Sequence, residues 1–159
     1  MKKSAIRPGY SYLLKEKKFD KSIKLFKKLV SEGNEGLCIT KYKPARLSKN
    51  YGLNTRMFQL TDKKGASNIN PKDTAKLMRR IEYFVTPIKR GVILFEGIDK
   101  VIENNNFISA LNLLEDINDT IMESNSSLIL ALNKSKFNRK ELAFLERNLE
   151  SVHPLKLGK

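Results

Sequence analysis

Five short apolar runs alternate along this chain with amphipathic segments of crossover length, and few folds accommodate that alternation. Residues 9–14, 37–40, 55–60, 91–95 and 127–132 read as strands. Between the first two, a helix is expected over residues 19–31, because Phe19, Ile23, Phe26 and Val30 recur at helical spacing with Leu29 beside them. Residues 44–50 suit a short helix with Pro44 in its first turn. Asn70 followed by Pro71 reads as a cap and first helical position, with Leu77, Ile81, Phe84 and Val85 carrying that helix toward Pro87. Phe107, Leu111, Leu114, Ile117 and Ile121 mark a long helix. Asn138 with Glu141 forms a capping-box start for a last helix bearing Leu142, Leu145 and Leu149. Strands joined by helices pair in parallel and are covered on both faces. The expectation is an α/β three-layer sandwich with a mainly parallel five-stranded sheet, with the Val92-Ile93-Leu94-Phe95 run at its centre.

At 159 residues the chain suits one domain, since a chain of this size buries roughly 70% of its unfolded surface. The expected division is a tail over 1–8, one α/β domain over 9–150 and a frayed tail over 151–159. Met1-Lys2-Lys3 looks like the start of a signal peptide, but no apolar stretch follows it. Apolar runs stay far below the roughly 20 residues that span a bilayer, so no membrane and a cytoplasmic location are expected. Cys38 is alone, which excludes an internal disulfide and a cysteine zinc cage; its apolar neighbours read as a buried side chain.

The net charge is +14 and uneven: residues 1–90 hold 23 Lys/Arg against 7 Asp/Glu, and residues 91–159 hold 8 against 10. Lys17, Lys21, Lys24 and Lys28 follow helical spacing opposite the Phe19/Ile23/Phe26 stripe. Lys72, Lys76, Arg79 and Arg80 hold a similar outer position on the third helix. Two basic faces suit a polyanion held by charge alone, or a lysine-rich solvated surface. No base-reading motif accompanies them, so any nucleic-acid contact is expected to be salt-sensitive and indifferent to sequence.

Ligands of parallel sheets gather beyond the carboxyl ends of the strands. Lys15-Glu16, Thr40-Lys41, Thr61-Asp62, Glu96-Gly97 and Asn133-Lys134 fall at that edge. No metal-ligand spacing is present, and the single histidine, His153, lies in the expected tail. Met57, Met78 and Met122 read as core filler.

The run from Gly9 to Lys41 is strand, loop, helix, glycine and a strand ending Ile39-Thr40-Lys41. With the ten residues from Gly91 (GVILFEGIDK) and the ten from Glu141 (ELAFLERNLE), it resembles an archaeal family known as domain of unknown function 835. The likeness runs over residues 9–150. That family is often fused to sensory and signalling modules and looks like a degenerate relative of KaiC/RecA-like ATPases, which implies a RecA/KaiC-like fold. Thr40, Lys41 and Pro44 match its Thr-Arg-x-x-Pro pattern with lysine in place of arginine, a less directional partner for a planar anion.

The ATPase relationship implies a phosphate loop, Gly-x-x-x-x-Gly-Lys-Ser/Thr, whose glycines let main-chain N–H groups wrap phosphates. Residues 15–22 occupy that place. Lys21 and Ser22 stand where the lysine and metal-binding hydroxyl belong, while Lys15 and Asp20 replace both glycines and are expected to obstruct the loop. Glu96 ends the central strand where such enzymes carry an acidic residue, with Asp99 three residues on; a carboxylate without a phosphate cradle holds magnesium poorly. The resulting expectation is a non-catalytic signalling or regulatory binding module, with no catalytic residue, metal or cofactor. Its partner is expected to be a protein, with nucleic acid and self-association left open. The alternatives are an electrostatic nucleic-acid-binding protein and a protein that binds nucleotide without hydrolysing it.

Overall fold

The computed structural model describes residues 6–87, 90–147 and 149–151. Its strands are β1 (Ser11–Lys15), β2 (Glu35–Thr40), β3 (Arg56–Leu60), β4 (Asn68–Ile69), β5 (Gly91–Glu96), β6 (Ser126–Leu132) and β7 (Glu150–Ser151). All pairs are parallel, in the order β4-β3-β2-β5-β6-β1-β7. The helices are α1 (Lys21–Ser31), α2 (Pro44–Tyr51), α3 (Thr74–Val85), α4 (Ile98–Asn104), α5 (Phe107–Met122) and α6 (Arg139–Glu146).

Strand side chains alternate between the two faces, so the sheet has two cores. Leu13, Ile39, Ile93, Phe95 and Leu130 face α3, α4, α5 and α6, which contribute Leu77, Ile81, Val101, Leu114, Ile117 and Leu145. Tyr12, Leu14, Cys38, Leu94 and Ile129 face α1 and α2, which contribute Ile23, Phe26, Leu29 and Leu47. β5 lies mid-sheet and is buried at all six positions, as its unbroken apolar run predicts. Each fully buried Leu, Ile or Phe contributes roughly 1.5–3 kcal/mol, so these two layers hold the strand ends in place.

The α/β three-layer expectation holds, and the five anticipated strands are β1, β2, β3, β5 and β6. The sheet gains β4 and β7, edge strands of two residues each, too short to show a period in sequence. Asn70-Pro71 does not start α3. The Asn70 side chain instead accepts the Lys72 N–H in a turn, and Asp73 caps the helix by accepting the Lys76 N–H at 3.0 Å. The capping box at Asn138 and Glu141 is present. Ile6 is buried in the second core and the Arg7 N–H donates to the Tyr12 hydroxyl, so packing reaches further toward the amino end than residue 9. Met122 is 63% exposed rather than core filler. His153 lies outside the described residues.

Candidate functional site

The carboxyl ends of β1, β2, β5 and β6 converge on a cleft of about 90 Å³ lined by Glu16, Lys17, Phe19, Lys41, Tyr42 and Glu96, together with Asn133 and Lys136. Nucleotide-sized sites measure roughly 300–1,000 Å³, so this cleft admits water or a small ion. Larger hollows lie elsewhere. One of about 770 Å³, lined in part by Asn34, Arg56, Tyr83 and Phe84, sits at the opposite edge of the sheet and contains none of the residues anticipated as a site.

The phosphate-loop positions form the first half of the site. Glu16 leaves β1 and turns back onto the amino end of α1. Its carboxylate accepts main-chain N–H groups from Asp20 (3.3 Å), Lys21 (2.7 Å) and Ser22 (3.2 Å), and the Ser22 hydroxyl donates to it as well. The first N–H groups of a helix have no partner within it and carry partial positive charge, so they favour an anion. Here the anion is the chain's own. Asp20 stands at the N-cap but makes no side-chain cap bond, because Glu16 holds those amides. The obstruction expected from Lys15 and Asp20 is not what fills the loop. Lys15 turns away to pair with Glu146, and Asp20 reaches along the helix to Lys24 at 3.3 Å.

The second half lies at the end of β5. Glu96 Oε1 accepts the Thr40 hydroxyl at 2.9 Å and the Lys41 N–H at 3.2 Å. The Thr40 hydroxyl in turn accepts the Tyr42 N–H at 3.0 Å, and Pro44 begins α2 directly after, so Thr40, Lys41 and Pro44 tie two strand ends to a helix start. Lys41 Nζ stands 2.8 Å from Asp99 Oδ2 and 3.6 Å from Glu96 Oε2. Lys136 joins from the turn after β6, 3.2 Å from the same Asp99 oxygen. Gly97, at φ +123°, makes the approach feasible: a Cβ there would lie 2.9 Å from Leu60 Cδ1.

Burial pushes the Glu96 carboxyl above the usual glutamate range, and the Lys41 N–H, the Lys41 charge and the Thr40 hydroxyl offset this only in part. Burial acts the same way on Asp99 but is outweighed by the hydrogen bond and charge of Lys41, with Lys136 behind them, so Asp99 is held low. Burial lowers Lys41, yet the Asp99 hydrogen bond and both carboxylate charges leave it raised. The charged state of each group depends on the others.

These residues do not fit a magnesium–nucleotide site. The amides are taken by Glu16, and an ammonium group already neutralises the acidic strand end. Among the described residues no cluster of three or more His, Cys, Asp or Glu suits a metal. The position of Glu16 at the sheet edge was legible in the sequence, but its role was not. The available signal was a carboxylate four residues before the N-cap. Lys136 and the stacked Phe19–Tyr42 rings, 5.6 Å apart, were missed because both pairings span long stretches of sequence.

The two basic sets do not form one surface. Lys17, Lys21 and Lys24 are exposed and Lys28 half-buried on the α1 side. α3 lies across the sheet. There Lys72 precedes the helix, Lys76 Nζ donates to the Asn68 carbonyl, and the Arg80 guanidinium lies over the Phe58 ring with its Nε buried. Arg79 alone of that set is both helical and exposed.

A family model described as "Protein of unknown function (DUF835)" matches residues 15–149. No curated protein matches the sequence. A structural-study target from Pyrococcus horikoshii OT3 superposes with a TM-score of 0.62 at 14% identity, covering 90% of this chain and 80% of that one. A KaiC-like protein from the same hyperthermophilic archaeon superposes at 0.60 with 13% identity, covering 79% of this chain and 63% of that one. At such identities the likeness concerns the fold, a parallel sheet flanked by helices of KaiC-like type.

Proposed function

We propose that this chain, which belongs to the DUF835 family, works as a non-catalytic signalling or regulatory binding module on a KaiC-like scaffold. One observation carries the reading: the main-chain N–H groups where the ATPase plan would bind phosphate close on Glu16. Catalysis of phosphoryl transfer depends on such donors being free for the charge that develops on the substrate. A second observation supports it. Lys41 places an ammonium between Glu96 and Asp99, where the plan would have a divalent cation complete its shell on phosphate oxygens.

Phosphate release from ATP with magnesium tests the proposal. Turnover at background level is expected for the native chain and for Lys21→Ala alike. Magnesium-dependent turnover that Lys21→Ala abolishes sinks it. Thermal unfolding with ATP and magnesium is expected to show no stabilisation, which separates this reading from nucleotide binding without hydrolysis. No helix of the described residues is long and apolar enough to cross a membrane.

A further inference from the structure

On the α1–α2 side of the sheet the exposed cations are continuous across two helices. Lys17 and Lys18 lead into α1, Lys21, Lys24 and Lys27 line its outer surface, and Lys43, Arg46 and Lys49 line α2. The two helices are fastened together: Lys27 Nζ donates to the Tyr51 carbonyl at 2.8 Å, and the Tyr51 hydroxyl donates to the Phe19 carbonyl. Among the described residues, Lys24 alone of these cations has an ion pair, with Asp20. Glu16 is engaged by the helix amides, and Glu32 lies at the far end of α1 as its C-cap. Within α1, Lys21, Lys24 and Lys28 climb the helix in steps of roughly 4.5–6 Å.

The opposite layer has the other sign at α5, which contains no lysine or arginine and exposes Asp116, Asp119 and Glu123 near its end. Lys72 and Arg79 lie on that layer too, beside these acids, whereas the cations of α1–α2 face few acids, so an extended anion is drawn to α1–α2. Among the aromatic groups on the basic side, Phe19 and Tyr42 stack on each other, and both are half-buried, as is Tyr51, so they offer bases no open platform.

We infer that the α1–α2 surface docks the phosphate backbone of a nucleic-acid duplex, without reading its sequence. The partner fits because a duplex presents regularly spaced charge and needs only cations in return. α2 and its N-cap supply three of those cations, Lys43, Arg46 and Lys49, and the basic residues of α3 lie across the sheet. This inference rests on the binding-module reading, but ATP turnover would overturn that reading without touching the docking result.

Fluorescence anisotropy with a labelled duplex of mixed sequence tests it, using the full chain. The native chain is expected to bind with a dissociation constant of roughly 1–100 μM near physiological salt, equally for unrelated sequences. Lys43→Glu, Arg46→Glu and Lys49→Glu combined are expected to weaken binding at least about tenfold and to lower the slope of log K against log salt by about 2–3. The glutamine triple, which spares the fold any new charge, is expected to fall between. Lys72→Glu with Arg79→Glu, across the sheet, is expected to change affinity less than about twofold, and far-ultraviolet circular dichroism checks that all variants fold. Equal losses from the two faces, or no duplex binding even at low salt, overturn the proposal. So does binding to phosphatidylserine vesicles, or salt-dissolved self-association through α5, with the duplex ignored.

Discussion

The Glu16 carboxylate accepts the main-chain N–H of Lys21 at 2.7 Å, closing a five-residue loop onto the helix that follows it. This contact makes Glu16 the effective cap of α1. Glu16→Ala is expected to destabilise the protein by about 1–2 kcal/mol in urea unfolding, the usual cost of losing a capping acceptor. Inorganic phosphate is then expected to raise the melting temperature of Glu16→Ala and leave the native protein unmoved. An equal response from both proteins would place the anion elsewhere.

Lys41 separates two carboxylates in a half-buried cluster. Lys41→Met leaves Glu96 without a cation and Asp99 with only the more exposed Lys136. The expected loss is about 3 kcal/mol at neutral pH, in the range for breaking a buried pair by removing one partner. Acid should restore part of it by protonating the carboxyls. Urea midpoints that differ from the native protein by the same amount in acid and at neutral pH would contradict this.

Asp99 and Glu96 give the native protein opposite pH responses. Asp99 is held below its ordinary 3.8, so its contribution is complete above that value and is lost as pH falls through the native one. Glu96 is held above its ordinary 4.5, so it favours the folded state below that value, and this contribution is lost as pH rises through the native one. Asp99→Asn is therefore expected to remove part of the acid limb of a stability–pH curve, and Glu96→Gln to flatten the decline on the other side. Parallel curves for all three proteins would show that neither carboxyl is coupled to folding.

Gly97 has a φ of +123°, and an added Cβ would press on Leu60 at 2.9 Å. Gly97→Ala is expected to cost about 1–3 kcal/mol, from backbone strain together with displacement of a buried side chain. Because Gly97 follows Glu96, the Thr40–Glu96 hydrogen bond should loosen as well, which faster amide exchange at Lys41 would report. Unchanged thermal stability would show that the turn relaxes freely.

The layers of the fold were legible because burial imposes a period: α1 and α5 show helical spacing, and β5 reads as an unbroken apolar run. β4 and β7 escape that signal, since two residues define no period, and each is held only by its register with β3 or β1. The start of α3 was misread because Asn70-Pro71 and Asp73 both carry capping chemistry, and only tertiary placement chooses between them. At the site, the sheet edge was predictable from topology. The identity of the anion on α1 was not, because it depends on a turn conformation that brings Glu16 back upon residues 20–22. The basic helices were visible as stripes, but their assignment to opposite layers required the strand order.

Cys38 lies in β2, with no exposed surface, on the face of the sheet covered by α1 and α2. Burial, and then the nearby Glu96 charge, push its thiol well above the ordinary cysteine range. Only an opening that lifts the α1–α2 layer from the sheet, or unfolds the sheet itself, can expose and ionise the sulfur. The rate at which a disulfide dye modifies this one position is thus an intrinsic clock for that opening, readable without engineering a label into the chain.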